Sequence, residues 1–564
     1  MKFSEFKYER PNIKEIKGKF NILLEEFKNS DTLEKQNKIM EDINKLRSEF
    51  ESMAQIAEIR HTIDTTDKFY EEEQDFLDTN MPLYEEVISD YYKALTSSKF
   101  KEELEAKWGT QLFDIAELSI KTFSPEVISD LQEENKVSSE YTKLLASAKI
   151  IFEGEERNLA QMAPFMQSKD REVRKKASEA KYKFFQEHEK EFDNIYDRLV
   201  EIRTRIAKAL GYNNFVELAY DRMLRTDYNK DMVKNFRKQV KESIVPVCQE
   251  LVEKQRKRLS LSSMSYYDLD FKFKTGNAKP HGDASFMVNN AKNMYNELSK
   301  ETGEFFDFMV KGELLDLVAK KGKASGGYCT YISEYKAPFI FSNFNGTSGD
   351  VDVLTHEAGH AFQVYSSRDY EIPEYQFPTY EACEIHSMSM EFFTYPWMNL
   401  FFEEETEKYK FSHLADALLF IPYGVSVDEF QEKIYENPDM TPEERKNTWR
   451  GIEKKYLPHK NYEENDFLEK GGYWQQQRHI YESPFYYIDY TLAQLCAFQY
   501  YVWSMENREK AWESYVKLCK LGGSKSFLNL VREAGLKSPF EDGTVREVVD
   551  KIKKELLSVD DSKF

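Results

Sequence analysis

The residues best equipped for chemistry stand together at His356-Glu357-Ala358-Gly359-His360, an HExxH pattern. On a helix, positions i and i+4 share a face one turn apart, so two imidazoles placed there can share one cation. Glu357 then lies beside the cation without binding it, where it can take a proton from a water that zinc acidifies. Chance alone yields one such pattern in about a hundred chains of this composition. Two helix-face histidines bonded to neighbours are the plain alternative. The motif is flanked by Val353, Leu354, Ala361, Phe362 and Val364, however, and two buried imidazoles with a carboxylate between them need a counter-group, which a cation supplies.

A catalytic zinc keeps three protein ligands and one open position. A third histidine in the extended pattern HExxHxxGxxH is excluded, because Gln363 and Ser366 hold those places. Downstream, TYEACEIHSMSMEFFTYPWMNLFF reads as a helix apolar nearly all round, yet Glu381, Glu384 and Glu391 share one of its faces. Carboxylates on so apolar an element need a partner. Glu384 is the expected third ligand, and Glu381, one turn earlier, is expected to orient a ligand histidine. His386 points to another side of the helix and reads as structural.

Peptide hydrolysis also needs a donor for the oxyanion, and tyrosine is neutral at pH 7. The stretch from His479 to Tyr490 offers His479, Tyr481, Tyr486, Tyr487 and Tyr490. Tyr486 reads as core packing.

These residues need elements to hold them. From about 12 to 320 the chain reads as amphipathic helices, for example Ile13–Arg47, Glu85–Lys107, Pro125–Ile151, Asp170–Ala209 and Lys230–Leu259. Between 322 and 350 the texture turns to glycine-bearing turns around two β-type runs, Tyr328–Ile332 and Pro338–Phe344. The second ends against the HExxH helix, which Thr347 or Ser348 can cap, with Asp350 and Asp352 at the positive end of its dipole. Its segment Phe339-Ile340-Phe341-Ser342-Asn343 is expected beside the cleft, offering a strand edge to an extended substrate. Helix resumes from 351, with breaks near Pro373–Pro378, Pro422–Gly424, Pro438–Pro442 and Gly471–Gly472. The glycine pairs Gly326-Gly327 and Gly471-Gly472 can let loops close over a peptide, or be plain turns.

Three blocks, FSNFNGTSGDVDVLTHEAGHAFQ, EACEIHSMSMEFF and SPFYYIDYTLAQL, resemble the M3 family of zinc oligopeptidases, and within it the oligoendopeptidase F group. The similarity in order and spacing runs over residues 170 to 550. The family pattern E-x-x-S-x-x-x-E falls on Glu384, Ser387 and Glu391, which implies Glu384 as the zinc ligand. The resemblance further implies a mainly α fold of two helical lobes flanking a deep substrate channel, with a small β-sheet next to the HExxH helix. Residues 1–169 would form an N-terminal helical lobe and 170–564 the catalytic domain. In thimet-like relatives a histidine followed by spaced tyrosines donates to the oxyanion. That pattern places His479, Tyr487 and Tyr490 in the role here, Tyr487 foremost.

Composition bounds the rest. A chain of 564 residues with 41% hydrophobic and 32% charged residues is that of a globular enzyme. Its net charge of −21 repels phosphate backbones and anionic lipid, so nucleic acid and membrane are poor partners. Five dispersed cysteines read as free thiols of a reducing compartment, and the start of the chain shows no secretory h-region. The expectation is a cytoplasmic oligoendopeptidase with one zinc per chain and short peptides as substrates. An exopeptidase sharing HExxH and a downstream glutamate, or a non-catalytic peptide binder, stand as alternatives.

Overall fold

A computed structural model describes residues 1–463 and 465–564. It is 71% helix and 4% strand, so sheet is confined to two small pieces. One is the hairpin of β1 (Ile150–Phe152) and β2 (Glu155–Arg157). The other contains β3 (Leu315–Val318), β4 (Tyr328–Ile332) and β5 (Ala337–Phe344).

The amphipathic stretches form helices largely where periodicity places them, but shorter. Ile13–Arg47 is two helices, Ile13–Lys28 and the start of Leu33–Ile63, because Asn29 to Thr32 close one and cap the next. Asp170–Ala209 likewise divides at His188. Ile151, read as helical, lies in β1. The expected break at Pro422–Gly424 is absent: both sit inside Thr406–Glu436. Gly424 serves contact there, since a Cβ would stand 2.2 Å from Thr491 Cγ2. Pro422 and Gly424 therefore mark a close helix crossing rather than an end.

Two large apolar cores and two small clusters hold the described residues together. Ile13, Phe20, Phe50, Tyr84, Leu112 and their neighbours form one, which Ile372 and Tyr375 enter from the later part of the chain. The larger core takes in nearly everything else, including Phe123 to Met162 and the helices that carry the candidate site.

The order in the three-stranded sheet is β3-β5-β4, with β3 parallel and β4 antiparallel to β5. Strand β5 is thus central, and Phe339, Ile340 and Phe341 are buried. This corrects the expectation that Phe339 to Asn343 present an edge to substrate: β3, a four-residue LDLV strand with little pattern of its own, occupies that edge. The outer strand on the other side is β4.

Candidate metal centre and active site

Strand β5 runs into the HExxH helix, Gly349–Ser367. Neither Thr347 nor Ser348 caps it with a side chain. Thr347 instead donates to Asn345 Oδ1 (2.8 Å), and Asp350 turns back to accept the Asn345 and Gly346 N–H groups, each at 2.8 Å. The strand-to-helix turn is therefore locked from within the helix's first turn.

The helix Tyr380–Phe393 packs across it at Gly359, where a Cβ would stand 2.6 Å from both His386 O and Ser387 Cα. Only glycine permits that approach, and the approach delivers Glu384. Its Oε2 lies 3.2 Å from His356 Nε2 and 3.3 Å from His360 Nε2. The three side chains offer ligand atoms within 4.8 Å of one another, the spacing a metal ion requires. Glu384 is 1% exposed. Burial alone would raise its carboxyl, but His360 and His356 outweigh it and hold Glu384 well below the usual range.

His356 and Glu384 are each oriented by neighbours. Glu391 Oε1 sits 2.6 Å from His356 Nδ1, and its Oε2 lies 2.7 Å from His413 Nε2. A carboxylate on Nδ1 fixes the proton there and frees the Nε2 lone pair for a metal. The orienting carboxylate is thus Glu391 and not Glu381, which corrects the sequence expectation. Glu381 is buried beyond the helix crossing, in the field of Arg225 and Asp489, and makes no bond to either histidine. Tyr486 donates its hydroxyl to Glu384 Oε1, and Ser387 Oγ donates to Oε2 at 2.8 Å. The contact of Tyr486 was invisible in sequence, where it reads as packing. Phe485 before it adopts φ +67°, pinned by Gln431 accepting its N–H (2.9 Å) and Arg225 donating to its carbonyl (2.6 Å).

Glu357 faces the same space. One of its oxygens, Oε2, has no hydrogen-bond partner among the described residues, and burial pushes the carboxyl up. Gly327 makes room, since a Cβ there would stand 3.3 Å from Glu357 Oε1. His386, the rival ligand, is turned away and buried, its ring 6.1 Å from that of Tyr515.

The three remaining candidates separate. Tyr490 Oη is 3.1 Å from His479 Nε2, and the Gln477 amide donates to His479 Nδ1 at 2.8 Å. Because an amide N–H occupies Nδ1, the imidazole proton sits on Nε2 and is given to the Tyr490 oxygen, so the Tyr490 proton is free to point elsewhere. Burial, helped by Arg478, pushes His479 down to about 3 and keeps it neutral. His479, Tyr490 and Tyr486 line the metal cavity. Tyr487 does not. It packs on Phe420 and Tyr423 and lines a smaller neighbouring cavity of about 330 Å3. The expectation that Tyr487 leads gives way to Tyr490, because the helix starting at Tyr487 turns that ring away from Glu384.

The metal cavity measures about 840 Å3 and is walled by both parts of the chain, with Ile115, Leu145 and Ala160 facing His356, Glu357 and Glu384. A second cavity of about 700 Å3 adjoins it through Tyr380, Tyr486 and Arg478. Cys329 and Cys383 also line the metal cavity as free thiols, kept neutral by burial. No helix among the described residues is long and apolar enough to cross a membrane.

Comparison with known proteins meets this geometry. The profile of the Peptidase M3 N-terminal domain matches residues 3–123, and that of Peptidase family M3 matches 164–550. Oligopeptidase PepF of Bacillus subtilis is 23% identical over 93% of this chain and 79% of its own. An oligoendopeptidase F homolog of Borreliella burgdorferi is 25% identical over 66% of this chain and 63% of its own. The solved structure of PZ peptidase A with inhibitor 2 is 62% identical, covers 100% of both chains and superposes with a TM-score of 0.99. The chain belongs to peptidase family M3, in its oligoendopeptidase F group, and is a peptidase acting on oligopeptides.

Proposed function

We propose that the chain is a zinc-dependent oligoendopeptidase in which His356, His360 and Glu384 hold the metal and Glu357 is the base. The observation that carries this reading is the convergence of two imidazoles and one carboxylate on a single point, beside a carboxylate oxygen with no partner. The donor set fits zinc, for which two histidines and a glutamate leave an open position. The partners of the ligands fit as well: Glu391 frees one histidine lone pair, and Tyr486 occupies the second oxygen of Glu384.

When bound, zinc supplies a Lewis acid that acidifies a water and polarises the scissile carbonyl. Glu357 would take a proton from the attacking water as the water oxygen bonds the carbonyl carbon. It returns the proton to the amide nitrogen as the C–N bond breaks, so the base ends the cycle as it began. The raised carboxyl of Glu357 suits both halves of that exchange. Tyr490, its oxygen held by His479, donates its proton in a hydrogen bond to the oxyanion. Burial holds the Tyr490 phenol well above its usual range, so it donates without ionising.

The test is Glu357→Gln, which keeps the shape and removes the base. Zinc content measured by atomic emission should stay at one per chain, while turnover of an internally quenched peptide falls by about a hundred- to ten-thousandfold. Near-parental turnover would overturn the mechanism.

A further inference from the structure

The walls of the metal cavity and of the adjoining cavity carry three arginines and one lysine. Arg47 is paired with Glu374 at 2.8 Å, Arg222 with Glu134 at 3.0 Å, and Arg478 with Glu482. Lys181, on the helix Arg171–Glu187, is partly exposed to the metal cavity and forms no ion pair among the described residues. Two charges of opposite sign stand in its field, Asp270 and Lys460. Elsewhere on these walls the unpaired groups are carboxyls. Glu58 and Glu85 are exposed to the adjoining cavity and form no ion pair among the described residues.

The sheet sets a direction through this space. Strand β4 is an outer strand, and its Tyr328 and Cys329 line the metal cavity. A peptide that extends the sheet there in the antiparallel sense, the more stable pairing, runs its C-terminus toward the start of β4. At that end of the sheet the Asn343 amide holds the Ala324 and Gly326 carbonyls, and the Asn345 amide donates to Ala160 O at 3.1 Å. Ala160 and Leu159 line the cavity together with Lys181. The C-terminal end of such a peptide therefore runs toward Lys181, the one cation on these walls that forms no ion pair among the described residues.

We propose that Lys181 is a specificity-determining residue whose ammonium binds the free C-terminal carboxylate of the peptide substrate. The proposal rests on the peptidase reading above and adds which end of the chain is recognised.

Two N-acetylated, internally quenched peptides, alike except for a C-terminal carboxylate or carboxamide, test it with the zinc-loaded protein. The parent should show a KM about tenfold lower for the acid, the worth of one charge-assisted contact, with the difference carried by KM. Lys181→Gln should raise the KM of the acid to that of the amide, and Lys181→Arg should keep most of the difference. Equal KM values in the parent, or a difference that survives Lys181→Gln, would overturn the role of Lys181 while leaving the peptidase intact. Failure of the parent to cleave either peptide would instead overturn the reading on which it rests.

Discussion

At the scale of single residues the site is decided by where protons are held. Gln477 donates to His479, His479 to the oxygen of Tyr490, and the Tyr490 proton is left for whatever enters the cavity. Tyr486 spends its proton on Glu384, and Tyr487 faces away from the metal cavity. A hydroxyl that bonds only the tetrahedral state acts on turnover rather than on ground-state binding. Tyr490→Phe is therefore expected to lower kcat by about a hundred- to thousandfold, with KM and zinc content little changed. Tyr487→Phe should keep at least about half of the parental kcat, because it removes no such bond. Steady-state kinetics of the two variants decide the matter, and the reverse ranking would return the role to Tyr487. Sequence alone narrowed the donors to this stretch and put Tyr487 first, whereas the structure puts Tyr490 and not Tyr487 on the wall of the metal cavity. Helical spacing says which tyrosines share a face, whereas the aim of Tyr486 depends on a left-handed Phe485 fastened by Arg225 and Gln431, far away in the chain.

At the scale of elements, the candidate site is the crossing of two helices, and Gly359 sets how closely they cross. A methyl group there meets the backbone of His386 and Ser387 at 2.6 Å, which side-chain rotation cannot relieve. Gly359→Ala should cost about 1–3 kcal/mol of stability as overpacking and weaken zinc by at least about tenfold as Glu384 is pushed out of reach. Gly451→Ala is the matched control: nothing lies within 4 Å of its Cβ, and replacing a helix-interior glycine should stabilise by up to about 1 kcal/mol. Denaturant unfolding and competition with a chelator read the two effects, and a Gly359→Ala protein with parental zinc affinity would sink the argument. The same crossing explains what was legible. Periodicity places Glu381, Glu384 and Glu391 on one face, and that reading is sound. Which of them reaches His356 depends on where the helices touch, and contact at His386, Ser387 and Met390 favours Glu391 over Glu381. Strand β5 was legible from its β-branched and aromatic run. Its central position was not, because β3 is too short to announce itself and pairs with residues more than twenty positions on.

At the scale of the molecule, the metal cavity is a space between two parts of one chain. Ile115, Leu145 and Ala160 close over His356 and Glu357, and the adjoining cavity is walled by Arg47, Glu58 and Glu85 from the first helices. A substrate must reach the metal point as an extended strand, since a folded domain is wider than the space and cannot present a backbone to β4. Peptides of up to about twenty residues, at about 3.3 Å per residue when extended, should be cut at internal bonds. Blocking both termini should leave cleavage possible, because in the proposed mechanism zinc, Glu357 and Tyr490 act on the scissile bond and not on a chain end. Blocking the C-terminus alone should weaken binding without stopping the reaction, as the position of Lys181 requires. A native globular protein should survive incubation that consumes a peptide copied from one of its own loops. Mass spectrometry of both mixtures gives the answer. Rapid nicking of the native protein would mean that the cavity opens far wider than its walls suggest, and products shortened only from one end would make the chain an exopeptidase instead.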